Sequence, residues 1–340
     1  MDYALIGRTG MRVSRLALGT AVLGLAPPED GVDALIGAAL DAGINLFDCA
    51  NTYGSRPSFD REGLPAASER KHAEELLGKA LKGRRDQVVL CTKVSEPVGT
   101  GPNDGGMIIR GLGGKGGGLS RYHIMREVEQ SLRRLDTDHI DIYHLHHPDL
   151  ETAIEDTLRA TDDLIRQGKV RYVGLSTYNG WQLTQAVMTA DHLGLARPIL
   201  NQVPYSLVNR WPEAEVQPAA LELGLSLNCF SPLAGGALAG AEVMDREYTG
   251  LKRWGMPFDF PPEQKQAALE LDALAQKWGH KPAHLALAWL LSRPGVGSAI
   301  IGPETSAELT QNAGVFDLDL DDAQIAEIDA IGTPPMNLPI

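Results

Sequence analysis

Ile140-Asp141-Ile142-Tyr143-His144-Leu145 is a short apolar run with the β-branched character of a strand. An amphipathic stretch over residues 151–167 follows and stops at Gly168, and a second short run, Val170-Arg171-Tyr172-Val173-Gly174-Leu175, comes next. Strand, helix and strand in direct succession make a βαβ unit, which calls for a parallel sheet. The same alternation continues in both directions. Strand-like runs stand at 16–18, 45–48, 88–92, 140–145, 170–175, 199–203, 225–230 and 298–301, each leading to a helical pattern directly or through a loop. Eight such units with no polar linker dividing them favour one closed (β/α)8 TIM barrel, an α/β fold, over an open doubly wound sheet, so residues 1–340 read as a single domain. Helices are punctuated at Asp30/Gly31 to Gly43 and at Ser68 to Gly83. Ahead of the first barrel strand, runs at 3–6 and 11–14 flank Gly7-Arg8-Thr9-Gly10, a β-hairpin placed to plug the bottom of the barrel.

Composition narrows the function. With 31 Lys+Arg against 44 Asp+Glu the formal charge is −13, which argues against nucleic acid or an anionic membrane as partner, because both require a basic face. No run is long enough to span a membrane. The three cysteines, Cys49, Cys91 and Cys229, are too few and scattered for a disulfide framework, and the Met1-Asp2-Tyr3 start has no signal-peptide character. A reducing cytoplasm is the expected compartment. The oligomeric state is not legible.

Three connections are long, at 54–67, 95–120 and 231–260. All follow the C-terminal ends of strands, where barrel enzymes build their sites, so they are candidate walls or lids. The glycine-rich piece Gly111-Leu112-Gly113-Gly114-Lys115-Gly116-Gly117-Gly118 reads as a flexible lid. A phosphate loop would need Ser or Thr after the lysine, and Gly116 stands there.

Around the same mouth the strand ends carry Asp48 and Tyr53, then Lys93, then His144 and His146. A tyrosine hydroxyl ionises near about pH 10, and a buried ammonium beside it, held charged by an aspartate, would pull that value toward neutrality. A histidine opposite would hydrogen-bond a substrate oxygen. Such a set can protonate a carbonyl as hydride arrives, or take a proton from an alcohol as hydride leaves. The rival reading is a metal hydrolase, since His144 and His146 are two apart on a strand. Its further ligands are lacking, because other strands lead to Ser176, Pro204 and Gly302-Pro303; no metal site is expected.

These residues resemble the aldo-keto reductase family, and the likeness extends over nearly the whole chain. Phe47-Asp48 through Tyr53-Gly54, Thr92-Lys93 and Asp141 through Asp149 match its catalytic segments, with His146 in the catalytic histidine place. Gly174-Leu175-Ser176, Asn201-Gln202-Val203-Pro204-Tyr205, Phe230-Ser231-Pro232-Leu233 and Ile301-Gly302 through Gln311-Asn312 follow in the family's order. The resemblance implies an NAD(P)-dependent oxidoreductase acting on a small carbonyl or alcohol, with Tyr53 as acid/base, Lys93 lowering its pKa, Asp48 holding Lys93 and His146 orienting the substrate oxygen. It further implies that Ser176 and Gln202 meet the nicotinamide carboxamide and that Phe230 stacks on the ring. Ser231, Leu233 and Gly235 would then lie along the pyrophosphate, and Asn312 by the adenine. Some members sit beneath ion channels, so a nicotinamide-binding regulatory or sensor subunit is the alternative.

Two positions depart from the family pattern: Thr177 stands where Asn is common and His147 where Trp is common. The third departure concerns the nucleotide. NADP(H) is the family default, gripped at its 2′-phosphate by a basic residue, yet residues 302–312 contain no Lys or Arg, and Glu308 occupies the usual arginine place with Glu304 nearby. NAD(H) is therefore expected, unless Lys252 and Arg253 in the loop after strand seven supply the phosphate grip. Polar loop residues, Arg56, Asp60, Arg61, Asn103, Asp104 and Arg110, suit a hydroxylated substrate such as a sugar.

Overall fold

The chain begins with the expected hairpin, β1 (Tyr3–Leu5) paired antiparallel with β2 (Arg12–Ser14). Gly7 takes φ +53° in its turn, and a Cβ there would come within 2.6 Å of the Ile199 carbonyl, so the turn can press on the barrel only as glycine. The Gly7 amide donates to Ser226 Oγ at 2.8 Å. Ile6 and Val13 are fully buried and pack with Ala17, Leu46, Cys91, Ile142, Leu200 and Ile300. The hairpin thus closes the bottom of the barrel by filling it with apolar side chains.

The structure is a computed structural model that describes residues 1–56, 60, 65–96, 118–240 and 261–332. Eight parallel strands, β3 (Leu16–Gly19), β4 (Leu46–Asp48), β5 (Val89–Val94), β6 (Ile140–Leu145), β7 (Val170–Ser176), β8 (Leu200–Pro204), β9 (Ser226–Phe230) and β10 (Val296–Ile301), pair in chain order, and β10 returns to β3 to close the barrel. These strands are buried on both faces, which is why they read as short apolar runs rather than as alternations. Several strands run further than their apolar runs, among them β5, through Lys93 to Val94, and β7, through Ser176. The Lys93 ammonium finds its partners in the barrel mouth, at Asp48 and Tyr53.

The helices are α1 (Val32–Asp41), α2 (Ala73–Ala80), α3 (Arg121–Leu135), α4 (Ile154–Arg166), α5 (Gly180–Leu193), α6 (Val216–Leu223), α7 (Pro262–Trp278), α8 (Pro282–Ser292), α9 (Ser306–Ala313) and α10 (Asp322–Asp329). One boundary differs from expectation. Ser68 does not open a helix; it lies in a 3₁₀ turn, Ala67–Glu69, and α2 starts only after His72. Between them the Arg70 guanidinium donates to the carbonyls of Gly54 at 2.7 Å, Arg56 at 2.7 Å and Pro65 at 2.6 Å. Tying one side chain to three backbone oxygens of the loop after β4 keeps Arg70 extended and postpones the helix.

The long connections leave the barrel where expected. Ser95 and Gly118 pinch the ends of the second, the Gly118 amide donating to the Ser95 carbonyl at 2.6 Å. Residues 97–117 between them, with all of the glycine-rich piece but Gly118 and with Asn103, Asp104 and Arg110, lie outside the described residues, as do Arg61, Lys252 and Arg253. None of the described helices is long and apolar enough to cross a membrane.

Candidate active site

The C-terminal ends of the strands open into a cavity of about 400 Å³. At its floor is Lys93, which is wholly buried. Its ammonium donates to Asp48 Oδ2 at 2.6 Å, to the Cys49 carbonyl at 2.7 Å and to the Tyr53 hydroxyl at 3.2 Å. Asp48 ends β4, Lys93 sits in β5 beside it, and Tyr53 returns from the following turn, so three neighbouring segments meet at one ammonium. His146, one residue past β6, meets the Tyr53 ring edge-to-face, with centroids 6.0 Å apart and planes at 76°. Asp48, Tyr53 and His146 line the cavity, and Lys93 supports them from below.

The electrostatics of the floor correct one expectation. Burial alone would lower the Lys93 pKa, but Asp48 and Tyr53 outweigh it and hold the ammonium above its ordinary value. Tyr53 is displaced upward: burial raises it, Asp48 and Glu96 push the same way, and the downward pull of Lys93 and Arg56 does not offset them. Lys93 therefore acts on Tyr53 in the expected sense, yet in the bare protein desolvation of the phenol wins.

The remaining residues singled out from sequence converge on the same cavity. Ser176 ends β7, Gln202 lies in β8, Phe230 ends β9, and Ser231, Leu233 and Gly235 follow in the turn beyond; Gly302, Glu308 and Asn312 come from the β10 end and α9. Gln202 spends one amide hydrogen on Asp48 Oδ1 at 2.8 Å. Ser176 Oγ is buried without a hydrogen-bond partner. The turn after β9 holds four residues in the left-handed region, Ser231 at φ +53°, Ala234 at +49°, Gly235 at +69° and Gly236 at +106°. Its Ala234 and Gly236 amides donate to the Ser231 and Leu233 carbonyls at 2.9 Å each, and turns of this left-handed kind can present the intervening amides to an anion. An orphaned hydroxyl, a half-buried aromatic ring and this left-handed turn in one groove fit the carboxamide, ring and pyrophosphate of a nicotinamide nucleotide.

A model of the aldo/keto reductase family matches residues 15–333. The chain belongs to the aldo/keto reductase family. Among its relatives are an uncharacterized oxidoreductase, YrpG, of Bacillus subtilis (strain 168), 39% identical over 94% of this chain and 93% of the relative, and a probable voltage-gated potassium channel subunit beta of Oryza sativa subsp. japonica, 33% identical over 94% and 92%. An L-glyceraldehyde 3-phosphate reductase of Escherichia coli O157:H7 is 29% identical over 97% and 92%. The family is one of oxidoreductases that generally use NAD(P)H.

Sequence reasoning passed over one carboxylate of this aldo/keto reductase. Glu96 is 6% exposed and lines the cavity. Thr52 Oγ1 and Arg56 Nη2 both donate to its Oε2, while Oε1 lies 3.4 Å from His147 Nε2 and 3.8 Å from His146 Nδ1. Burial would raise its carboxyl, but His146, His147 and Arg56 hold it well below the usual carboxylate range. The only sequence signal for it is position, three residues past Lys93 on the mouth side. His147 keeps an aromatic surface where the family has Trp: it stacks on His146, centroids 4.5 Å apart and planes within 15°. Thr177, in the left-handed region at φ +59°, bonds His147 Nδ1 through Oγ1 at 3.0 Å.

The three donor atoms on Glu96, His146 and His147 lie within 4.8 Å of one another. Stacked rings make a poor cation site, because imidazole lone pairs lie in the ring plane and an ion between parallel planes sits in neither. His144, the other half of the rival histidine pair, is sealed in the barrel wall, with Nδ1 at 3.4 Å from the Leu175 carbonyl and burial lowering its pKa to about 4. It does not line the cavity.

Proposed function

We propose that this aldo/keto reductase interconverts a small hydroxylated aldehyde or ketone and its alcohol, as an NAD(P)-dependent alcohol or aldose dehydrogenase. The observation that carries the reading is the chain of contacts from Asp48 to Lys93 to Tyr53. A bound nicotinamide nucleotide would supply or accept the hydride. Tyr53 gives the proton to the carbonyl oxygen, or takes it from the alcohol. Lys93 stabilises the phenolate left behind, Asp48 keeps Lys93 charged, and His146 holds the substrate oxygen against Tyr53. Ser176, Gln202 and Phe230 would bind and face the nicotinamide. The amides around Ser231, Leu233 and Gly235 would take the pyrophosphate, and Gly302 and Asn312 the adenosine end. Glu96, Arg56 and His147 put a charged, hydrogen-bonding wall in the substrate part of the cavity, which suits hydroxyl groups better than a hydrocarbon.

The nucleotide we infer is NAD(H). Glu308 stands in the first turn of α9 and turns its Oε2 back to accept from the Glu304 amide at 2.8 Å. A carboxylate fixed there would repel a 2′-phosphate and can accept from a ribose hydroxyl.

The test is a panel of hydroxyaldehydes, aldoses and the matching alcohols, assayed in both directions with both nucleotides, for the wild type and Tyr53→Phe. Turnover that falls by roughly 10²–10⁴ in Tyr53→Phe, with nucleotide affinity retained, is the expected result. Nucleotide binding with no turnover of any member would overturn the reading in favour of a regulatory subunit.

A further inference from the structure

Glu96 ties together two sides of the site. It lies two residues past β5, and its Oε2 accepts from Thr52 and Arg56 of the loop after β4, while its Oε1 lies 3.4 Å from His147 Nε2. Thr52 adjoins Tyr53 in the chain, and the Arg56 guanidinium lies over the Tyr53 ring, 5.9 Å from its centroid. Glu96 thus borders the place between Tyr53 and His146 assigned above to the carbonyl oxygen. Among the described residues that line the cavity, the charged ones are Asp48, Glu96 and Glu308 against Arg56, and Arg56 already donates to Glu96 and Thr52. The Asp48 charge is answered from below by Lys93. The wall beside the reacting carbon therefore offers an ionised carboxylate whose counter-charge is already engaged.

Resting on the reductase reading above, we propose that Glu96 is the specificity-determining residue of the substrate end: its carboxylate accepts from a hydroxyl on the carbon next to the substrate carbonyl and excludes aldehydes that carry a carboxylate there. The substrate class is then the neutral α-hydroxyaldehydes. An ionised carboxylate only accepts, through about four lone-pair sites, and the contacts with Thr52, Arg56 and His147 leave one of them for a ligand. A hydroxyl beside the carbonyl can donate to it. A methyl group there cannot, and takes water from a charged oxygen without replacing its hydrogen bond. A carboxylate there brings a like charge to within a few ångströms in a cavity that screens it poorly. Burial would raise the Glu96 carboxyl, but His146, His147 and Arg56 hold it well below the usual carboxylate range, so this charge is present at neutral pH.

The experiment measures kcat/KM of the full-length enzyme for glycolaldehyde, propionaldehyde and glyoxylate, which carry a hydroxymethyl, an ethyl and a carboxylate group beside the same aldehyde carbon. The wild type should prefer glycolaldehyde to propionaldehyde by roughly tenfold and to glyoxylate by roughly 10²-fold. Glu96→Gln keeps an oxygen for Thr52 and Arg56 but removes the charge, so the ratio of glyoxylate to glycolaldehyde should rise by about tenfold or more. A merely structural loss would lower all three substrates together and leave the ratios where they were. The hydration of each aldehyde is the same for every variant and cancels in that comparison. Glu96→Asp, which keeps the charge, should keep the exclusion of glyoxylate, and with the wild-type ratios it decides the matter if the glutamine variant folds poorly. A wild type that reduces glyoxylate as readily as glycolaldehyde, or a ratio unmoved in Glu96→Gln, overturns the proposal. Turnover of no aldehyde at all would instead be the failure of the reductase reading. Saturation-transfer NMR titration of the full-length protein with ethylene glycol and glycolate then tests Glu96 without turnover. The wild type should bind the diol and reject glycolate, which Glu96→Gln should accept; glycolate bound equally by both overturns the proposal.

Discussion

Gln202 donates to Asp48 Oδ1 at 2.8 Å across 154 positions of sequence, while Lys93 donates to the other oxygen, Oδ2, at 2.6 Å. With both oxygens engaged, Asp48 cannot rotate away from the ammonium it neutralises. The Asp48 carboxylate is thus a fixed counter-charge in the floor of the site, and Gln202 brings one N–H fewer to any ligand than its sequence position alone implies.

Asp48→Asn should therefore cost more than a hydrogen bond. It strands a wholly buried ammonium, and removing one partner of a buried pair costs about 3–5 kcal/mol. Gln202→Ala should cost less, about 1–2 kcal/mol, because it leaves the ion pair intact. Urea denaturation of the two variants checks the order. Equal losses would place the main anchoring of Asp48 on Gln202 instead.

Lys93→Met should shift activity rather than only reduce it. Burial already raises Tyr53, and Lys93 is the largest influence pulling it back. Without the ammonium the phenol is raised further, so alcohol oxidation, which uses the phenolate, should need a more alkaline pH. Lys93 also has a folded-state pKa above its ordinary value. The stability it contributes is thus complete below about pH 10 and is lost only as pH rises through the folded value. A pH–rate profile of the methionine variant that superimposes on the wild type would remove Lys93 from this role.

Acid should act through Glu96. Its folded-state pKa lies well below the ordinary carboxylate value, so its contribution to stability is present above about pH 4.3 and is lost as pH falls through the folded value. The stability gap between the wild type and Glu96→Gln should accordingly be widest near neutrality and close on acidification. Denaturation curves at neutral and acid pH measure that gap.

Glu308→Arg should turn nucleotide preference toward NADP(H). A charge-assisted contact to a 2′-phosphate contributes roughly 1.5–3 kcal/mol, and the change also removes a repelling carboxylate. The ratio of kcat/KM for the two nucleotides, compared between wild type and variant, reads the effect directly. A wild type that already prefers NADP(H), and loses that preference when Lys252 and Arg253 are removed, would place the phosphate grip in the loop after β9.

Thr177→Asn should stabilise the fold. A β-branched residue at φ +59° is strained, at a cost of order 1–3 kcal/mol, whereas Asn adopts that region readily. A gain of about 1 kcal/mol in urea denaturation is expected. A loss would mean that the Thr177 hydroxyl bond to His147 at 3.0 Å outweighs the strain.

The barrel itself was legible in the residues. Strands buried on both faces must be short apolar runs, helices against them must be amphipathic, and eight such pairs with a plugging hairpin leave few other arrangements. Asp48, Tyr53, Lys93 and His146 were legible too, because topology brings consecutive strand ends to one mouth whatever the loops do. What sequence could not decide is everything set by through-space competition. No helix opens at Ser68 because the Arg70 side chain folds back onto three carbonyls of its own connection. The Gln202 bond to Asp48 is invisible in the sequence because it joins residues 154 positions apart. Glu96 drew no notice because a lone glutamate in a loop is ordinarily solvated; only closure of the barrel buries it against two histidines. Even the direction of the Tyr53 pKa follows this division: the sequence supplies the neighbouring ammonium, but the desolvation that outweighs it exists only once the mouth has folded around the phenol.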